Sequence, residues 1–113
     1  MISHVVLFRP RATLTPEERA ALIESLESAV TGISTIKRTT IGRRILLNRP
    51  GYETQMAEHF EYSAILEFDS EADLRAYLDD PAHHNLGGLL FVAAEAVLAY
   101  DFVSTSFTEL KRR

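Results

Sequence analysis

The sequence predicts an α+β protomer built around one antiparallel sheet. Three observations carry that reading. Short apolar segments rich in β-branched and aromatic residues stand near the start, the middle and the end of the chain. Between them, two stretches place apolar residues at helical spacing behind recognisable N-terminal caps. The segments follow one another as β-α-β-β-α-β, with an extra helical stretch before the last strand.

The first strand is "ISHVVLFRP", ending at Pro10. Its period of two sets Ile2, His4, Val6 and Phe8 on one face and Val5 and Leu7 on the other. "TLTPEERAALIESLESAVTGI" is the first helix. Thr15 caps it, Pro16 suits its first position, and Glu17 and Glu18 complement the positive end of the macrodipole. Leu22, Leu26, Ala29, Val30 and Ile33 form its buried stripe, and Gly32 supplies the stop. The second strand is expected over residues 36–47, followed by a turn-rich loop over 48–59 around Pro50-Gly51. "FEYSAILEFD" is the third strand.

Ser70 and Asp73 make a capping pattern that opens a helix carrying Leu74, Tyr77 and Leu78. Pro81 ends or bends that helix, because the residue before a proline avoids the helical region. Beyond it, Leu86, Leu89, Leu90, Ala93 and Val97 recur at helical spacing, although Gly87 and Gly88 weaken the helix. "AVLAYDFVS" is the last strand, with an overlapping boundary. Residues 1–104 thus form one domain and 105–113 a polar C-terminal tail, mobile or latched onto a partner. The order is the split-βαβ, ferredoxin-like one.

Such a sheet has helices on one face only, yet its first strand is apolar on both. In a chain of 113 residues the simplest cover for the second face is another copy, giving a homodimer through the open sheet face. The composition is that of an ordinary globular domain, with 46% hydrophobic and 25% charged residues. A net charge of −4 argues against nucleic acid as a partner. The absence of cysteine removes thiolate chemistry and disulfides. The N-terminus has no signal-peptide pattern and the longest apolar run is too short and mixed to span a bilayer. A cytoplasmic location and no membrane partner are therefore expected.

"YLDDPAHHNLGG" concentrates the candidate chemistry. With a helix starting near Ala82, His83 shares an inward stripe with Leu86 and Leu90, and His84 is turned about 100° away toward solvent. A histidine of near-neutral pKa at a pocket can take a proton from a carbon acid, and Tyr77 can orient it or polarise a carbonyl. The bland alternatives are a helix-start histidine bonded to nearby backbone or a carboxylate and a tyrosine that only packs. His4, among apolar neighbours, is more often a core or interface residue than a ligand. Asp79, Asp80, His83 and His84 do not make a metal site, since Pro81 breaks the i, i+4 geometry and no zinc motif is present. Arg38, Arg43, Arg44 and Arg49 read first as a solvated, aggregation-resistant edge and second as an anion site. No nucleotide-binding or serine-hydrolase motif is present.

The segments "HVVLFRPR", "FDSEADLRAYLDDPAHHNL" and "VLAYDF", in that order over about residues 2–103, resemble the stress-response dimeric α/β-barrel (Dabb) family. The resemblance implies two ferredoxin-like sheets paired face to face in a dimeric α/β barrel. One activity in that family is cofactor-free closure of a linear polyketide by an intramolecular aldol reaction, the olivetolic acid cyclase type. There a histidine of the P-A-H motif is the base, and a helix tyrosine and a first-strand histidine line the same pocket. The matching residues are His83, Tyr77 and His4. The departures are a longer loop between the second and third strands and different apolar pocket residues. The expectation is a protein that binds a small apolar or aromatic molecule, with cofactor-free acid/base catalysis as its enzymatic form. The alternatives are a non-catalytic, stress-associated structural dimer and a cofactor-independent monooxygenase. No cofactor or metal is expected in any of them.

Overall fold

The computed structural model describes residues 1–112. The elements are β1 (Ile2–Pro10), α1 (Pro16–Gly32), β2 (Arg38–Arg43), β3 (Tyr62–Phe68), α2 (Glu71–Asp79), α3 (Pro81–Ala93), β4 (Ala94–Val103) and α4 (Phe107–Lys111). The strands form one sheet in the order β2-β3-β1-β4, every neighbouring pair antiparallel. This is the expected ferredoxin-like α+β architecture.

Local chemistry sets the helix boundaries. Thr15 and Glu18 form a reciprocal capping box at the start of α1, each side chain accepting from the other's backbone N–H. The side chain of Ser70 accepts from Asp73 N–H and opens α2. Asp80 closes α2 and caps α3, its carboxylate accepting from Ala82 N–H at 2.8 Å, with Pro81 at the first turn. The chain therefore breaks between Asp79 and Pro81 and restarts as a new helix, which fixes His83 in the first turn of α3.

Core residues from the sheet, Phe8, Ala64, Leu66 and Phe68, all lie on the face that α1, α2 and α3 cover. Leu22, Ala29 and Ile33 of the α1 stripe are buried with them, and Leu26 and Val30 pack at the margin. Burying Leu66 and Phe68 completely contributes about 1.5–3 kcal/mol each at roughly 25 cal/mol per Å². On the opposite face, pairing aligns Val5 with Ile65 and Tyr100, and Leu7 with Leu98. No element of the described chain lies over Leu98, Tyr100 and Phe102, which are exposed.

The bounds of β2, β3 and β4 and the structure of the tail differ from the sequence reading. β2 stops at Arg43 instead of 47, because β3 begins only at Tyr62 and Arg44 makes the last backbone bond, to Glu61. Ile45, Leu46 and Leu47 have no strand opposite them and are exposed. β4 starts at Ala94, so Val97 belongs to the sheet opposite Phe8, not to the helical stripe. The tail contains α4, capped by Ser106 and carrying exposed Phe107 and Leu110.

The first half of the loop between β2 and β3 is closed by one side chain, and its second half is tied to Arg9 and Arg44. The Glu53 carboxylate accepts from the successive backbone N–H groups of Leu47, Asn48 and Arg49. Burial works to raise its pKa, but these bonds outweigh it and hold the carboxyl below its ordinary value.

Candidate functional site

Between the sheet and the three long helices lies a cavity of about 350 Å³, within the range of small-molecule sites. Its walls are largely apolar: Val6 and Phe8 of β1, Leu22 and Leu26 of α1, Leu86 and Leu90 of α3. Four polar side chains interrupt them, and three are the residues singled out from the sequence: His4, Tyr77 and His83. The fourth is Asp101 of β4.

Strand parity sends His4 to the helix-covered face, where it is buried at 6% exposure. It pairs with Asp101 across the β1–β4 ladder. Its Nδ1 lies 2.6 Å from Asp101 Oδ1. A carboxylate only accepts, so Nδ1–H donates and Nε2 is left as the remaining ring nitrogen. His83 is held in the same way: Nδ1–H donates to the Leu78 carbonyl at 3.1 Å, again leaving Nε2. Burial lowers the pKa of His83, against the smaller opposing effect of the Leu78 carbonyl, with His4 and His84 adding to the lowering. The lowering favours the neutral ring, in which, with Nδ1–H donating, Nε2 carries the lone pair.

Tyr77 sits between the two imidazoles. Its ring centroid is 4.7 Å from that of His83 and 5.7 Å from that of His4, both edge-on, and it also packs on Phe68. Burial pushes the phenol pKa up to about 12, so the hydroxyl keeps its proton. The packing reading of Tyr77 is also met, since its ring joins the core.

His84 is exposed and outside the cavity lining. No group of three or more His, Asp or Glu side chains converges on a metal position among the described residues. Arg38, Arg43, Arg44 and Arg49 do not line the cavity. Arg38 pairs with Glu67, and Arg44 donates to His59 Nδ1 at 2.7 Å. A wider hollow of about 580 Å³ lies by the 44–61 loop, where Leu7, Met56 and Phe60 meet Arg43 and Arg44. It does not contain the imidazoles of His4 and His83.

Asp101 is the residue that sequence reasoning missed. A lone acid in the apolar run "VLAYDF" is the available signal, but its contact with His4 depends on register across 97 residues of chain.

The comparisons with known proteins agree with this architecture. No curated protein matches the chain. A hydroxynitrile lyase from Passiflora edulis has a similar structure, with a TM-score of 0.76 at 19% identity over 94% of this chain and 95% of that one. A dimeric ferredoxin-like protein of unknown function from Thermobifida fusca is similar with a TM-score of 0.71 at 24% identity, over 91% and 90% of the two chains. A Dabb family protein from Mesorhizobium loti gives a TM-score of 0.70 at 19% identity, over 93% and 97%. At these identities the likeness is one of fold. The sequence matches the stress responsive A/B barrel domain over residues 2–104, and the chain belongs to that family, Dabb.

Proposed function

We propose that this protein is a homodimer whose cavity binds a small, mostly apolar organic molecule and transfers a proton without a cofactor, with His83 as the base. The observation that carries the reading is the convergence of His83, Tyr77 and His4 on one apolar cavity, each imidazole fixed through Nδ1. In a cyclase-type reaction, His83 Nε2 takes the proton from a carbon next to a carbonyl. The Tyr77 hydroxyl donates to the carbonyl oxygen as negative charge develops there. The resulting carbon nucleophile forms a C–C bond to a second carbonyl of the same molecule. The His83 imidazolium then returns its proton to the new alkoxide, so that no proton is gained or lost. His4, oriented by Asp101, is placed to hold a polar group of the substrate.

The hydroxynitrile lyase of similar structure is an example of this fold carrying an enzyme, at 19% identity. The dimer is supported by the apolar open sheet face and by solved proteins of similar fold that are dimeric. The test is a thermal-shift screen of 6-alkyl-2,4-dihydroxybenzoic acids against wild type and His83→Ala, with sizing of both. Stabilisation of the wild type that is lost in His83→Ala is the expected result. Equal stabilisation of both proteins removes His83 from the site, and a stable monomer at micromolar concentration removes the dimer.

A further inference from the structure

Gly87 stands one helical turn beyond His83, at i+4 on the same face of α3, and lines the cavity beside it. A Cβ built on Gly87 would meet nothing within 4 Å, and its φ is not one that excludes an L side chain. Neither packing nor backbone geometry therefore requires glycine, although glycine weakens a helix interior. The neighbouring Gly88 has the same open surroundings and the same helical setting, but it is exposed and lies outside the cavity lining.

We infer that Gly87 is the specificity-determining position of the cavity: its missing side chain is the space that an apolar group of the ligand occupies next to His83. This rests on the cavity being a ligand site, as proposed above, but not on His83 being a base. The ligand class that follows has a polar end at His4, Tyr77 and His83 and a hydrocarbon portion running over Gly87 toward Leu22, Leu26 and Leu90.

The pair of glycines supplies its own control. Gly87→Ala and Gly88→Ala should each raise the melting temperature of the unliganded protein by about 2–5 °C through helix propensity alone. Binding of 4-n-alkylphenols, methyl to hexyl, is then measured by calorimetry. In the wild type and in Gly88→Leu, affinity should rise about three- to fourfold per added methylene, as apolar burial dictates. In Gly87→Leu that rise should vanish while the protein stays at least as heat-stable as the wild type. His83→Ala should keep the methylene dependence, so a failure of the base and a failure of this inference read differently. A methylene dependence unchanged in Gly87→Leu, or lost equally in Gly88→Leu, overturns the inference. So does a drop in melting temperature for Gly87→Ala, or a wild type that binds none of the phenols.

Discussion

Replacing Tyr77 by phenylalanine removes one oxygen and leaves the ring against His4, Phe68 and His83. At pH 7 the change should cost less than about 1.5 kcal/mol, the net worth of a single neutral hydrogen bond. The larger effect is alkaline. The phenol is 2% exposed, and burial moves its pKa from 10.0 to about 12. Above pH 10 the unfolded chain therefore releases a proton that the folded chain retains, and folding stability falls as pH rises toward 12. Two pKa units at 1.36 kcal/mol each give a loss of roughly 2–3 kcal/mol once both states are ionised. Urea unfolding of wild type and Tyr77→Phe from pH 8 to 12 isolates this contribution, since every other titrating group is common to both. The stability difference between them should move in favour of the phenylalanine variant by that amount. Parallel curves across the whole range would refute the assignment of Tyr77 as a buried, proton-retaining phenol.

Three further outcomes follow from the same geometry. Because burial lowers the pKa of His83, stability that is complete above the ordinary value of 6.5 should fall as pH drops below it, until the folded-state ring also protonates. Imidazole NMR titration should place the His83 midpoint below 6.5, and His83→Gln should remove this part of the acid slope. Asp101→Ala leaves the Nδ1–H of buried His4 unpaired and should cost about 1–3 kcal/mol in chemical denaturation, whereas Asp101→Asn keeps an acceptor and should stay within about 1 kcal/mol of wild type. Leu98→Glu with Tyr100→Glu charges the open sheet face and should shift the protein to monomer in sizing, without unfolding the helix-covered core.

The local periods in the sequence were enough to find the four strands and α1 to α3, and to place His4 and His83 on the cavity side. Parity along β1 groups His4 with Val6 and Phe8, and helical phase groups His83 with Leu86 and Leu90. What escaped depends on partners far along the chain. β2 stops where β3 runs out of residues to pair with, which nothing in "IKRTTIGRRILL" records. Asp101 becomes meaningful only when β4 is laid beside β1 in register. Gly87 and Gly88 read alike as helix-weakening glycines until one of them faces a cavity. The tail reads as polar because two apolar residues among nine do not make a periodic pattern, yet Ser106 still starts a turn of helix there.

The carboxylate of Glu53, gathering three consecutive N–H groups, makes the first half of the long β2–β3 connection a small closed turn. The far end of the connection is held by the sheet, where Arg9 of β1 bonds to Glu58 and the His59 carbonyl and Arg44 bonds to His59, so the turn over 49–52 inside the clasp is the part that can be rewritten with little consequence for the strands. Within one family, this is the kind of segment where descendants can drift apart in what they recognise while the barrel frame stays the same.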